Sequence, residues 1–147
     1  MPSFETAARS LKVVPIIASV HTDAKIEAAI KALGREPQGG LVVMPDTFML
    51  GHRAPIILAA ARNQVPAVYS SSTFVRDGGL LSYGPDVVDN LRRAASYVDR
   101  ILRGEKPRDL PVQFPTKFEM IVKRKTATTL GLAIPPSIML RADEVIE

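Results

Sequence analysis

The side chains with most scope for chemistry stand just after short apolar runs. Leu41-Val42-Val43-Met44 passes through Pro45 to Asp46, Thr47 and Phe48, and Val65-Pro66-Ala67-Val68-Tyr69 passes to Ser70, Ser71, Ser72 and Thr73. In open α/β sheets ligands sit outside the carboxyl ends of the strands, so both clusters fall where a small molecule would be met. The serines offer hydroxyls and backbone N–H groups to a carboxylate. Plainer readings stand beside these. Pro-Asp-Thr is also good turn and helix-capping chemistry, Phe48 can simply cover a sheet edge, and the serine run can cap a helix beginning near Thr73.

Other chemistries lack their parts. His21 and His52 have no second ligand at metal spacing, and a lone His52 reads as a helix N-terminal surface residue. Gly78-Gly79 is too short for a phosphate loop and precedes a strand, and the serines are not set in a Gly-x-Ser-x-Gly elbow. The sequence has no cysteine, hence no thiolate and no Cys-held metal. We therefore expect no catalytic residues, no metal and no cofactor, and do not expect an enzyme.

The elements that would hold the two clusters alternate. Residues 4–11 have helical spacing, with Ser3 and Thr6 as a cap region. Residues 12–18, Lys-Val-Val-Pro-Ile-Ile-Ala, read as a strand confined to an edge by Pro15. Thr22-Asp23 opens a helix with Ile26, Ala29, Ile30 and Leu33 on its apolar face, and Gly34 follows its C-cap. The run 41–44 reads as a parallel-sheet strand buried on both faces. A helix is expected over 52–63, with Pro55 in its first turn, then a strand at 65–69 and another at 80–83, closed by Gly84-Pro85. Strand, helix, strand, helix, strand predicts an α/β fold: a parallel sheet with right-handed crossovers, flanked by helices.

Asp86 caps the longest predicted helix, which runs to about Arg103. Val87, Val88, Leu91, Ala94, Ala95, Val98, Ile101 and Leu102 form its broad apolar face, and Gly104 ends it. A proline-rich connection over 106–116 leads to a strand at 118–122. A short helix at 126–130, a break at Pro135-Pro136 and a last turn at 137–142 complete the chain.

With 147 residues, 46% hydrophobic and 23% charged, the chain amounts to about one globular domain. The net charge of +4 is scattered apart from Lys123-Arg124-Lys125, without interleaved aromatics, so nucleic acid is not expected as a partner. Met1 leads into Pro-Ser-Phe-Glu with no charged or apolar leader region, so the expectation is a chain without a signal peptide. No apolar run approaches the ~20 residues that span a bilayer.

From Leu80-Leu81-Ser82-Tyr83-Gly84-Pro85-Asp86 onward the text resembles a known family. Arg92-Arg93-Ala94-Ala95-Ser96-Tyr97-Val98-Asp99-Arg100-Ile101-Leu102-Arg103-Gly104, Asp109-Leu110-Pro111-Val112-Gln113 and the segments from Pro115 to Ile146 are similar to ABC transporter substrate-binding proteins related to tryptophan and tyrosine binders. Val43-Met44-Pro45-Asp46 and Pro66-Ala67-Val68-Tyr69 share the likeness. The resemblance implies the class I periplasmic binding fold: two Rossmann-like lobes joined by three crossovers, clamping a ligand delivered to a membrane permease. Family members are about twice as long, so this chain resembles the second lobe and C-terminal segment alone. That divides it into a Rossmann-like lobe over 1–85, a long protruding helix and crossover over 86–116 that would pack on the missing first lobe, and a return over 117–147.

Carried onto this sequence, the resemblance implies a ligand-binding edge of Asp46, Thr47, Phe48, Ser70, Ser71, Ser72 and Tyr83, with Ser82 and Tyr83 near a hinge. An amino acid needs an anion site, an ammonium acceptor and a packing surface, which serine N–H groups, Asp46, and Phe48 or Tyr69 supply. The implied ligand is a small amino-acid-like or aromatic carboxylate, the implied partner an ABC permease, and the implied location the periplasm, or the cytoplasm for a product without a signal peptide. A helix deprived of the first lobe leaves ~200 Å² or more of apolar surface bare, at roughly 25 cal/mol per Å², which predicts a homodimer through 86–103. A non-enzymatic dimeric interaction protein without a small-molecule ligand is the other reading.

Overall fold

A computed structural model describes residues 2–147, with side chains from residue 4 onward. The cap expected at Ser3 lies outside the described side chains. Among the described side chains of helix α1 (Pro2–Ser10), only Ala8 is buried. Helix α2 (Asp23–Leu33) starts where Thr22 Oγ1 accepts from Lys25 N at 3.3 Å, and it buries Ile26 and Ile30. Gly34 is the C-cap itself, in right-handed conformation, and not the residue after it. Glycine suits the position for another reason: a Cβ there would lie 2.8 Å from the Asn63 carbonyl oxygen.

Strand β1 (Leu41–Val43) leads to helices α3 (Thr47–Gly51) and α4 (Arg53–Arg62), then to strand β2 (Ala67–Tyr69), helix α5 (Ser72–Arg76) and strand β3 (Leu81–Pro85). Helix α6 (Val87–Leu102) and a 3₁₀ turn (Pro107–Asp109) precede strand β4 (Phe118–Lys123). Helices α7 (Arg124–Thr129) and α8 (Pro136–Met139) precede strand β5 (Glu144–Ile146). The strands lie in chain order, β1-β2-β3-β4-β5. β1, β2 and β3 are mutually parallel, β4 runs antiparallel to β3, and β5 is parallel to β4. The α/β expectation holds, with a mostly parallel sheet in place of a wholly parallel one.

Much of the core lies on one face of the sheet, although Val122, on the other face of β4, is also fully buried. Val43, Tyr69, Ser82 and Ile121 stand in register across four strands and are all buried. Val43 and Tyr69 join Ile26, Ile30, Ile56, Ile57 and Phe74 in one apolar cluster. On the opposite face Val42, Val68 and Tyr83 are partly open to solvent, because side chains alternate along a strand.

Three expectations change. β1 is an edge strand with an exposed Val42, not one buried on both faces. Residues 12–18 form no strand, because a strand exists only through a neighbour's hydrogen bonds and none is paired with them. Beyond Pro45 the chain goes straight into the unexpected α3, capped by Asp46.

Helix α6 matches its expected limits closely. Asp86 Oδ1 accepts from Asp89 N at 3.0 Å, and Asp86 Oδ2 lies 2.8 Å from Lys117 Nζ. The Lys117 ammonium, followed by the backbone N–H of Asp89, holds the Asp86 carboxyl below the usual carboxylate range. The polar side of α6 is strapped to the connection after it: Arg93 donates to Thr116 Oγ1 at 2.6 Å and Gln113 Oε1 at 2.7 Å, and Tyr97 donates to the Pro111 carbonyl. Its apolar stripe faces solvent, with Leu91 67% and Leu102 81% exposed, and the helix buries no residue.

Candidate functional site

Because β1, β2 and β3 are adjacent and parallel, their carboxyl ends open on one edge. The register Val43↔Tyr69↔Ser82 sets Met44, Ser70 and Tyr83 level with one another. Asp46, Thr47 and Phe48 therefore leave the sheet beside Ser70, Ser71 and Ser72, as the sequence suggested. Ser70 and Gly84 meet more closely than any sequence pattern implied. A Cβ on Gly84 would stand 2.0 Å from the Ser70 carbonyl oxygen, so a residue without a side chain lets the two strand tails touch.

Each polar group also has a local task. Asp46 Oδ1 accepts from Phe48 N at 2.7 Å and Met49 N at 3.3 Å, as the N-cap of α3. Ser71 Oγ accepts from Thr73 N at 3.4 Å, as the N-cap of α5. The capping readings of both residues are thus realised. Capping leaves Asp46 and Thr47 exposed and Ser70, Ser71 and Ser72 partly so.

The aromatics divide. Phe48 stacks on His52 with ring centroids 3.9 Å apart, and His52 Nδ1 donates to the Phe48 carbonyl at 2.8 Å. His52 Nε2 stands 3.6 Å from Asp23 Oδ1, so this histidine ties α2 to the α3–α4 junction. Its place at the start of α4 was legible in the sequence, and its support of Phe48 was not. Tyr69, expected as a possible packing surface for ligand, is turned into the core against Phe74 at 4.7 Å, where burial pushes its phenol up to about 12. Ser82 also faces the core, its hydroxyl without a hydrogen-bond partner among the described residues. Tyr83 is half exposed and stacks on Phe118 at 5.7 Å, toward the β4 side of the edge.

Chemically, the edge presents a carboxylate, hydroxyls and an aromatic face on one open wall. A shallow groove lies elsewhere, between α6 and the strap, bounded by Asn90, Arg93, Tyr97, Gln113 and Phe114. Among the described residues no three His, Asp or Glu side chains gather as a metal ion would need, and no helix is long and apolar enough to cross a membrane.

Three solved structures resemble this one. A conserved domain protein from Vibrio cholerae superposes with a TM-score of 0.87 at 23% identity, over 99% of this chain and 49% of that one. The ABC domain from Streptococcus pneumonia, in complex with L-Trp, gives 0.87 at 22% identity, over 99% and 50%. A ligand-free, open substrate binding protein with adhesive properties from Clostridium difficile gives 0.66 at 18% identity, over 99% and 48%. At these identities the likeness is one of fold, and the chain spans about half the length of each structure. No curated protein matches the sequence. The family description ABC transporter substrate binding protein matches residues 4–146, and on that match over nearly the whole chain this protein belongs to that substrate-binding family.

Proposed function

We propose that the carboxyl edge of β1, β2 and β3 is one wall of the solute cleft of an ABC importer's substrate-binding component. The solute is a small amino-acid-like or aromatic carboxylate. Ser70, Ser71 and Ser72 take its carboxylate, Asp46 and Thr47 its ammonium group, and Phe48 and Tyr83 pack its body. The observation that carries this reading is the adjacency of two polar strand tails, those of β1 and β2, on one parallel-sheet edge, with Gly84 letting the second of them lie against β3. The L-Trp in the streptococcal structure belongs to the same ligand class. Delivery to a permease, a periplasmic location and the absence of catalysis follow from the family role.

A second copy covers the bare face of α6. Val87, Val88, Leu91, Val98, Ile101 and Leu102 are each 40% or more exposed. They offer on the order of 600 Å² of apolar area, against roughly 800 Å² per partner in a standard interface.

The test is thermal unfolding against L-tryptophan, other amino acids and aromatic carboxylates. A ligand at 100 times its dissociation constant adds ~2.7 kcal/mol. Asp46→Asn keeps a side chain that caps as well as aspartate but removes the charge, so it should unfold like the parent and lose the response to zwitterions. A flat panel for the parent protein overturns the reading. It leaves the alternative of a dimeric interaction protein, which the fully unburied α6 stripe favours.

A further inference from the structure

His52 holds Phe48 in three ways. Its backbone N–H donates to the Phe48 carbonyl at 3.0 Å, its Nδ1 donates to the same oxygen at 2.8 Å, and its ring stacks on the Phe48 ring with 29° between the planes. Helix α3, which carries Phe48, has five residues and buries none of them, so packing alone secures it weakly.

The far nitrogen makes this grip conditional. A carbonyl only accepts, so the bond to Phe48 places a proton on Nδ1. In the neutral ring Nε2 then carries a bare lone pair, and it faces Asp23 Oδ1 of α2 at 3.6 Å. Protonation turns that approach of two electron-rich atoms into an attraction between imidazolium and carboxylate. Asp23 is the charged group that meets the ring from α2. On the α4 side, Arg53 is engaged by Asp77 Oδ2 of α5 at 2.5 Å, and at the start of α3 Asp46 is turned to the Phe48 and Met49 N–H groups.

We propose that His52 is the positioning residue for Phe48, fixing α3 against α2 most firmly when its imidazole is protonated. The consequence for solute rests on the reading of Phe48 as part of the cleft wall. The imidazolium held by Asp23 steadies the aromatic face that packs the solute's body, and loss of the proton loosens it. Solute affinity is therefore greatest below the range in which histidine titrates and falls as pH rises through it.

Two measurements test this. The first needs no solute: amide hydrogen exchange at Leu50 and His52, whose N–H groups bond to the Asp46 and Phe48 carbonyls. Corrected for intrinsic rate and set against the amides of α4, their protection should be about threefold greater at about pH 5 than at about pH 8, the worth of an exposed ion pair. Asp23→Asn, in a helix that Thr22 still caps, should remove the pH dependence. His52→Phe, which keeps a ring to stack, should remove it too and lower protection at both pH values. The second is binding of L-tryptophan followed by its own fluorescence anisotropy, since the chain has no tryptophan. Affinity should drop about threefold over the same pH interval in the parent and stay level in Asp23→Asn. Protection that ignores pH, or that follows it as strongly in Asp23→Asn, overturns the proposal. Graded protection beside a flat solute panel upholds the positioning of Phe48 and overturns the solute reading instead.

Discussion

Gly84 has one residue's width in which to serve two strands. Its missing Cβ lets the Ser70 carbonyl lie against β3, and Gly84→Ala would force an atom to 2.0 Å from that oxygen. Backbone cannot yield as a flexible side chain does, so Gly84→Ala should lower unfolding stability by ~2 kcal/mol or more, measured by denaturant titration. It should also displace Ser70 and weaken any solute response, while Gly51→Ala, where a Cβ meets nothing within 4 Å, should do neither. At this scale the sequence was readable in kind but not in consequence. Asp46 and the serines were recognisable as polar groups at strand exits, and as caps equally well, because one carboxylate or hydroxyl suits both roles. The contact of Ser70 with Gly84 was hidden, since it depends on two strands lying side by side, and the same holds for His52 beneath Phe48.

Helices α2 and α6 show which elements a sequence discloses. Each has a capping side chain at its start and an apolar period along its length, and both kinds of signal are local. Residues 12–18 and β5 show the converse. The first has strand composition without a partner, while Glu144–Ile146 is a strand because β4 lies beside it. The junction of β3 with α6 carries a pH dependence. Asp86, with its pKa lowered by Lys117, contributes stability that is fully present above its unfolded value of ~3.9 and is lost as pH falls through the lower folded value. Lys117, with its pKa raised by Asp86, contributes below ~10.4 and loses its effect as pH rises through the higher folded value. Asp86→Asn should therefore retain a cap yet flatten the acid limb of the stability profile, followed by helical circular dichroism. An acid limb identical to the parent's would exclude this ion pair as its source.

At the scale of the molecule, the α/β fold and the family were legible in the sequence, and the bare surfaces were legible in part. The apolar width of α6 announced a need for cover. The half-open sheet face did not, because the run 41–44 reads as buried on both faces, whereas Val42 and, on the next strand, Val68 are exposed. The α6 pairing proposed above is isologous, and a two-fold axis would close it as a dimer. Sedimentation at micromolar concentration should give a dimer. Leu91→Glu with Val98→Glu should reduce it to a monomer, and a parent protein that sediments only as a monomer would exclude this surface.

The join between β3 and β4 has a consequence for how such a chain changes over time. Pro85 pairs with Phe118, and Asp86 N donates to the Lys117 carbonyl at 3.0 Å, so β3 and β4 form a hairpin and residues 86–117 are its loop. Loop-closure entropy grows only with the logarithm of length. The excursion that contains α6 can be lengthened, resurfaced or replaced by a tight turn at little cost to the sheet. The excursion that carries the exposed α6 stripe is in this sense a graft on the sheet, and the two are free to diverge at different rates.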